Sequence, residues 1–277
     1  MSFAGLVRME AWKMMRRGRS YIGPAGLLAI VLPTAIGLRY GPMGTEVERY
    51  VGSSVTMIGS PLNALFIARV VLPPTVFLFL PLFVSIVAGD QISGEAADGT
   101  LRSLLSRPVH RLRLLGAKYL VSVLYAVGLT VFLGVSAFAV GYAFFGIGGL
   151  VSFGGGIAYF GVAEGMERLA LGYALAGAYQ ICVCSVAFLL SVFMHSSLAP
   201  VGVTFALMLV MGAVGEIPYF ERLKPFFFTT YGDLFLQAFR VPLDPERLLR
   251  GVAALAAWTG AAFGLASIVF SRKDILS

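Results

Sequence analysis

Charged side chains are scarce in this sequence. They make up 13% of the 277 residues, whereas 58% of the residues are hydrophobic and the mean hydropathy is +0.87. Soluble domains carry roughly 25% charged residues, and a water-soluble chain of this size could not bury so much apolar surface. The composition therefore excludes a soluble globular protein and predicts an integral membrane protein.

Residues that build metal and nucleophilic sites are also scarce. The two histidines, His110 and His195, lie far apart, and the two cysteines, Cys182 and Cys184, fall in one apolar stretch. On a helix these thiols point to different faces, so we interpret them as small packing residues rather than metal ligands or a disulfide. The sequence has no phosphate loop, no HExxH motif and no serine with an evident base. We therefore predict no catalytic residue, no metal site and no cofactor bound by this chain.

The net charge is +7. In a soluble protein this charge would indicate nucleic-acid binding. In a membrane protein, basic loops are typically retained on the cytosolic side, where they face anionic headgroups. We therefore expect the positive charge to face membrane lipid, and we expect no nucleic-acid partner.

Six apolar stretches approach the length of about 20 residues that a helix needs to cross a bilayer. Only residues 195–197 separate the fourth stretch from the fifth, and one fused helix would be far longer than a bilayer is thick. We interpret the first stretch as a retained helix rather than a cleaved signal. One membrane domain, residues 1–277, is thus expected to contain six spans: Tyr21–Leu38, Val70–Ala88, Tyr119–Ile147, Leu169–Met194, Leu198–Gly215 and Val252–Phe270.

Basic residues predict the orientation. Twelve Arg and Lys residues lie in residues 1–20, residues 89–118 and the C-terminal tail, which share one side of a six-span chain. The other nine of the 21 are spread over a longer length. The positive-inside rule then places both termini in the cytosol, and we expect a multi-pass protein of the cytoplasmic membrane.

Residues 1–20 mix basic and apolar side chains in the pattern of an amphipathic helix that lies in the membrane interface. A disordered basic tail is the alternative. In the helical interpretation four residues sit at headgroup level: Trp12, Lys13, Arg16 and Arg17.

The second span is rich in proline. Pro73, Pro74 and Pro81 each remove a backbone donor from the helix. Because proline breaks the intrahelical hydrogen-bond pattern and kinks a helix, we predict that this span is bent and takes part in gating.

Residues 216–250 are apolar but interrupted by polar residues, and they are too short and broken to cross the bilayer. A re-entrant or interfacial helix pair at the outer leaflet is therefore expected, covered by protein. Four aromatic residues of this segment are candidate gating or cargo contacts: Phe226, Phe227, Phe228 and Tyr231.

Residues 89–118 form a densely charged island between two apolar spans. Asp90 and Glu95 are expected to bracket a turn, and Gly99 and Thr100 to open a short helix that Thr100 caps. A short helix that is basic on one side and apolar on the other fits a groove on a soluble partner. We predict a docking surface here; an ordinary cytosolic loop is the alternative.

The island also carries a motif. DQISGEAADGTLRSLLSRPVHR, residues 90–111, followed by GAKYL, resembles the ABC-2-type permeases, which are membrane subunits of ABC exporters. The N-terminal helix is similar to that family's elbow helix, and the six spans and apolar segment before the last span also match. The chain departs from the pattern at Asp98, where a basic or small polar residue is commoner, and at His110, where Ser or Thr is usual.

The resemblance implies an all-α polytopic permease with an elbow helix, a cytosolic coupling helix and re-entrant outer helices. It also implies two copies of a cytosolic ATP-binding-cassette ATPase, which bind ATP and Mg²⁺, and a second permease chain in a homodimer or heterodimer. The coupling helix would span Leu101–Arg111. The residues expected to dock the ATPase are Glu95, Gly99, Thr100, Leu101, Arg102, Leu104, Leu105, Arg107, Pro108 and Arg111.

The expected function is export of a cargo, driven by ATP hydrolysis in the partner. Span interiors with almost no ionisable group argue against an autonomous ion-coupled transporter. They favour an amphiphilic cargo: a drug, a peptide or a lipid. The alternatives are a scaffold or assembly factor that recruits a cytosolic protein without transport, and a permease for ion efflux or metal-site maturation. An intramembrane enzyme lacks any acid, base or metal constellation.

Overall fold

The computed structural model describes residues 2–42, 44–46, 49, 61–99, 111–153 and 157–272. In these ranges five helices are long and apolar enough to cross a membrane, so the predicted all-α polytopic membrane fold is confirmed. The α-helices are α1 (Phe3–Arg16), α2 (Arg19–Tyr40), α3 (Ala64–Pro74), α4 (Leu80–Ala97), α5 (Arg111–Phe145), α6 (Val162–Phe193), α7 (Ala199–Gly215), α8 (Leu234–Gln237) and α9 (Pro245–Arg272).

Several helices extend beyond the predicted spans because their last turns are polar and escape a search for apolar residues. α5 has 35 residues and α6 has 32. The break that separates the fourth and fifth spans lies between α6 and α7, as predicted. α7 has only 17 residues, or about 26 Å at 1.5 Å per residue. That length is below the bilayer core of roughly 30 Å, so the count of six spans stays a prediction.

Successive helices run back and forth between two ends of the bundle. One end holds Asp90, Lys118 and Ser197, and we call it the charged end. The other end, the far end, holds Asn63 at the start of α3, residues 146–153 and 157–161, and residues 216–244. Which end faces the cytosol stays a prediction.

α6 is the central helix of the bundle. It packs against α4, α5, α7 and α9, and most of its length is buried. Gly172 permits one close approach, because a Cβ there would lie 2.8 Å from the ring of Phe239. Cys182 and Cys184 are free thiols buried in this helix, where they serve as packing residues.

The second span is interrupted where its prolines predicted a bend. α3 ends at Pro74, a π-helix follows over Thr75–Phe79, and α4 begins with Pro81 in its first turn. π-Helical turns insert one extra residue per turn and often accompany functional sites. The α-helix is interrupted at these prolines, whereas the bend and the movement of this span stay predictions.

The π-helix leaves one backbone carbonyl without a helical partner. The N–H of Leu80 donates to the carbonyl of Thr75, and the next donor position is Pro81, which has no N–H. The carbonyl of Val76 is therefore free to accept from a side chain. Gln180 of α6, fully buried, donates its Nε2 to this carbonyl at 3.2 Å.

A small β-hairpin at the far end was not predicted. Strand β1 (Leu150–Phe153) pairs antiparallel with β2 (Ile157–Phe160) in a segment that the sequence marks only as glycine-rich. Asn63 caps the start of α3 and donates to the carbonyl of Gly149 at 2.7 Å. The hairpin thus covers the far end of the second span.

Residues 216–244 differ from the predicted pair of regular helices. The segment consists of three 3₁₀ turns, Pro218–Phe220, Lys224–Phe226 and Phe228–Tyr231, followed by the four-residue α8. Pro218 and Pro225 lie in the first two of these turns, and each lacks the N–H that a helix arriving from the preceding residues would need to continue. The placement of this segment at the outer leaflet stays a prediction.

This far-end segment is anchored by its aromatic and backbone groups. Phe228 is fully buried, with its ring 5.5 Å from Trp258 of α9 and 6.3 Å from Tyr179 of α6. Arg168 donates to the carbonyls of Ala238 and Arg240 at 3.1 and 2.9 Å. The segment is therefore held on α6 and α9 rather than detached from the bundle.

Candidate functional site

The predicted turn between Asp90 and Glu95 is wrong, because α4 continues through both residues to Ala97. Gly94 does not end the helix; a side chain there would overlap the Asp90 carboxylate. The helix ends instead before Gly99, which has φ +68°. That left-handed conformation is one that glycine adopts readily at helix ends, so Gly99 closes the preceding helix within the described residues.

Continuation of α4 brings Glu95 into a buried ion-pair cluster. Lys118 Nζ of α5 lies 2.7 Å from Glu95 Oε1 and 2.9 Å from Glu10 Oε2. Lys13 Nζ of α1 lies 3.0 Å from Glu10 Oε1 and 3.1 Å from Glu95 Oε1. The carboxylates of Glu10 and Glu95 thus share the two lysine ammonium groups. These four charged side chains join α1, α4 and α5.

A second cluster surrounds Asp90, one turn earlier on α4. Arg17 Nη1 lies 2.6 Å from Asp90 Oδ2, and Arg19 Nη1 lies 2.7 Å from Asp90 Oδ1. Ser197, in the turn between α6 and α7, donates its hydroxyl to Asp90 Oδ1. Asp90 therefore connects the junction of α1 and α2 with the turn that follows α6.

We call these eight residues the charged network: Glu10, Lys13, Arg17, Arg19, Asp90, Glu95, Lys118 and Ser197. Its interior is closed to solvent, since Lys118 is 1% exposed and Glu10 and Glu95 are each 3% exposed. Removing a charge from water is costly unless a partner and hydrogen bonds replace the solvent. Here four cations face three carboxylates, so every buried charge has an opposite neighbour.

Lys13 remains charged in this setting. Burial by itself would lower the pKa of its ammonium group, but the hydrogen bond and charge of Glu10, together with Glu95, outweigh burial and raise the pKa. A lysine with a raised pKa is protonated throughout the neutral range. Lys13 therefore contributes a fixed positive charge to the network near neutral pH.

The network flanks the segment that the sequence predicts as the docking helix. α4 ends at Ala97 and α5 begins at Arg111, while Glu95 and Lys118 join the two helices directly. The structure thus places Glu95, Gly99 and Arg111 at the two ends of the docking segment. The other predicted docking residues lie outside the described residues: Thr100, Leu101, Arg102, Leu104, Leu105, Arg107 and Pro108.

A helix, α1, lies where the sequence predicts the elbow helix, and the four predicted interface residues divide between two faces. Lys13 and Arg17 face the network, whereas Trp12 is 56% exposed and the guanidinium carbon of Arg16 lies 4.7 Å from the centroid of its ring. Leu6 packs against α5 on the buried side. The position of α1 in the membrane interface stays a prediction.

The predicted gating aromatics are likewise divided. Phe228 is core, while Phe226 is 70% exposed and accepts a hydrogen bond from Trp258 at its carbonyl. Phe227 and Tyr231 are partly buried, and the Tyr231 hydroxyl donates to the carbonyl of Pro225. These contacts position the far-end segment, and a gating role stays a prediction.

Sequence reasoning missed Glu10 and Ser197 and assigned no role to Lys118. One signal was available, since Glu10 lies one turn after Leu6 and one turn before Lys13, in line with the buried side of α1. Residues three and four apart share a helix face. An acidic residue on the apolar face of a basic helix indicates a buried cation elsewhere in the chain.

Metal binding has no support in the described ranges, where no group of three or more His, Cys, Asp or Glu side chains could hold an ion. The three carboxylates of the network are already neutralised by cations. What the network can do is transmit displacement, because it couples the ends of α1, α4 and α5 with the turn after α6.

Comparison with known proteins agrees with this architecture. A search among curated proteins finds no match. Residues 6–211 match the family model described as ABC-2 family transporter protein. The match runs from α1 into α7 and includes the whole charged network. The chain therefore belongs to the ABC-2 family of transporter proteins.

Proposed function

We propose that this chain is the membrane-spanning permease subunit of an ABC exporter, with its charged end and both termini in the cytosol of a cell whose cytoplasmic membrane it crosses. The single observation that carries this proposal is the buried Glu95–Lys118 ion pair at 2.7 Å, which joins α4 and α5, the helices that flank the predicted docking segment in the sequence. It supports a device that converts movement of a docked partner into movement of the spans.

The docking segment is proposed to act as a lever with a fixed base. Glu95 precedes the segment and Lys118 follows it, so their ion pair holds the bases of α4 and α5 together. Glu10 and Lys13 fasten α1 to the same point. A displacement of the segment would therefore move the ends of α1, α4 and α5 together, as one rigid unit.

Displacement would then pass along α4 to the π-helix. Helical hydrogen bonding is interrupted at Thr75–Phe79, and such an interruption lets a helix bend with less loss of backbone bonds. Meanwhile Asp90 would carry the same displacement to the turn between α6 and α7 through Ser197. In this proposal the second span bends while the central helix responds at its charged end.

ATP and Mg²⁺ belong to the proposed partner, a cytosolic ATPase present in two copies, and a second permease chain would complete the pathway. This chain supplies the docking segment and the network. ATP hydrolysis would change the population of two conformations of the permease, because only a partner that prefers one conformation can shift the balance.

An amphiphilic drug, peptide or lipid is the proposed cargo. An almost wholly apolar groove of about 460 Å³ lies between α5 and α6, lined in part by Val131, Phe138, Leu169 and Tyr173. Arg69 lies nearby on α3, next to Ala68, whose carbonyl accepts from the Tyr173 hydroxyl. An apolar wall with few charges supports a cargo whose apolar part contacts the protein during transport.

The export direction follows from the family resemblance.

The docking proposal is tested by purifying the permease from its native membrane in mild detergent, with mass spectrometry and an ATPase assay. The unsubstituted chain should retain a phosphate-loop ATPase in equal amount. Replacing Arg107 and Arg111 by Glu should abolish retention, because these side chains are proposed to contact the partner. Full retention in this variant would contradict docking at the segment, and an ATPase-free preparation of the unsubstituted chain would favour a scaffold.

A matched control carries the same charge reversal at the other end of the bundle. Arg247 and Arg250 are exposed on the first turns of α9. Replacing both by Glu should leave ATPase retention unchanged. Loss of the ATPase in this control would mean that overall charge, and not the docking segment, holds the partner.

A further inference from the structure

A groove opens between the ends of α6 and α9 at the charged end, apart from the charged network. Its volume is about 460 Å³. Four apolar side chains line it, with Phe193 of α6 and Ile268 of α9 among them, and His195 and Arg272 line it where these helices end. The groove thus has an apolar body and a basic rim.

The apolar part of this groove faces the bilayer. Phe193 is 53% exposed and Ile268 is 51% exposed, and both belong to helices long and apolar enough to cross a membrane. Exposed apolar residues on such helices contact lipid tails, since the bilayer core offers no water. An acyl chain is therefore the natural occupant of this part.

The basic rim lies at the charged end of the bundle, where α6 and α9 both end. His195 follows α6 directly, two residues before Ser197, which is bonded to Asp90 of the charged network. Arg272 is the last residue of α9. The groove therefore passes from apolar side chains on two spanning helices to basic side chains at the ends of these helices.

The basic side chains of the rim have no partner within the described part of the chain. His195 and Arg272 form no hydrogen bond or ion pair with another described residue, and no acidic residue lines the groove. This contrasts with Arg17 and Arg19, which are both engaged by Asp90. A negative headgroup would complement the rim, whereas a zwitterionic headgroup would bring a cation against it.

We propose that this groove binds one anionic phospholipid, with the headgroup phosphate between His195 and Arg272 and an acyl chain against Phe193 and Ile268. Basic residues at a membrane surface attract an anionic headgroup. The acyl chain fills the apolar part of the groove and keeps the tail of a neighbouring lipid out, but this contact does not discriminate between lipids. The site therefore selects by headgroup charge.

Quenching of tryptophan fluorescence by brominated lipids tests this proposal. Phe193→Trp is introduced in a background in which Trp12 and Trp258 are replaced by Phe, and the protein is placed in bilayers of phosphatidylcholine and phosphatidylglycerol, one of them brominated. The expected result is a preference for phosphatidylglycerol of about fivefold at this position. Equal quenching by the two brominated lipids would overturn the proposal.

Two further variants define the site. In the same background, His195→Ala with Arg272→Gln should reduce the preference to none, and an unchanged preference would exclude these residues as the headgroup site. Leu124→Trp, at an exposed position on α5 outside both grooves, should show equal quenching by both lipids. The same preference at both tryptophans would indicate a general surface-charge effect and overturn a specific site.

Native mass spectrometry gives an independent measurement on the chain without tryptophan substitutions. After exchange into a neutral detergent, the unsubstituted protein should retain one phosphatidylglycerol, and the His195→Ala, Arg272→Gln variant should lose it. Added glycerol phosphate, which has the headgroup without a chain, should not displace the lipid. Retention of phosphatidylcholine in equal amount would contradict selection by charge.

Discussion

Lys118 of α5 and Glu95 of α4 form a buried ion pair, 2.7 Å from Nζ to Oε1, across the two ends of the segment that the sequence predicts as a docking helix. The whole predicted docking segment lies between these two residues in the sequence. The same ammonium group also reaches Glu10 of α1 at 2.9 Å. One lysine therefore fixes the relative position of three helix ends.

Loss of this lysine should strongly destabilise the permease. Lys118→Met leaves Glu10 and Glu95 buried with one ammonium group fewer, and breaking a buried pair typically costs about 3–5 kcal/mol. Equilibrium unfolding in mixed micelles measures the free energy of unfolding. The double variant Glu95→Gln, Lys118→Met should lose less than the sum of the two single losses, because residues in contact are not additive.

The matched control is a lysine in an exposed ion pair. Lys224 lies 3.1 Å from Glu216, with side chains 40% and 80% exposed, and such pairs contribute about 0–1 kcal/mol. Lys224→Met should therefore change little. Comparable losses at positions 118 and 224, or strict additivity in the double variant, would contradict a buried coupled network.

Asp90 should hold the junction of α1 and α2 closed. Asp90→Asn removes the charge that engages Arg17 and Arg19, so a cysteine at the buried position Ser20 should react faster with a maleimide. If about 1–2 kcal/mol is lost, labelling should rise about five- to thirtyfold. The native thiols, Cys182 and Cys184, are buried and give little background.

The control for this variant is Asp98→Asn. Asp98 is an exposed carboxylate just beyond the end of α4 and forms no ion pair with another described residue. Its neutralisation should leave the labelling rate at position 20 unchanged. An equal rise in both variants would assign the effect to overall charge and remove Asp90 from its proposed role.

The hydrogen bond from Gln180 should matter only while Pro81 is present. Gln180→Leu leaves the buried Val76 carbonyl without its donor, which should lower the free energy of unfolding by about 1–3 kcal/mol. In a Pro81→Ala background the loss should be smaller, because an alanine N–H at position 81 can reach this carbonyl. Thermal and chemical unfolding of the four combinations measure the coupling.

Pro73→Ala provides the matching background. An N–H at position 73 points toward the preceding turn of α3 and not toward Val76, so Gln180→Leu should cost the same in this background as in the unsubstituted chain. An equal cost of Gln180→Leu in the Pro81→Ala background would show that the glutamine does not compensate for the missing N–H.

Local patterns predicted much of this fold. The apolar stretches, the helix of residues 3–16, the break after Phe193 and the interruption near Pro81 depend on residues that are neighbours in sequence. Hydrophobicity and proline act locally, so their consequences can be derived without a structure. The polar ends of α5 and α6 were missed because a turn of helix at a membrane surface has no apolar signature.

The charged network could not be predicted because its partners are distant in sequence. Glu10 and Lys118 are separated by 108 positions, and Arg17 and Asp90 by 73. The glycines of α4 indicated a turn between Asp90 and Glu95, whereas packing of that segment against other helices keeps it helical. Residues 100–110, which include most of the predicted docking helix, lie outside the described residues.

Photo-crosslinking at Ser106, inside the predicted docking segment, tests the central claim most directly. A benzophenone amino acid at this position should form an adduct with a cytosolic ATP-binding-cassette ATPase in native membranes, identified by mass spectrometry. The same probe at Leu249, exposed near the start of α9, should give no such adduct. An ATPase adduct at position 249 and none at position 106 would contradict both the docking surface and the orientation.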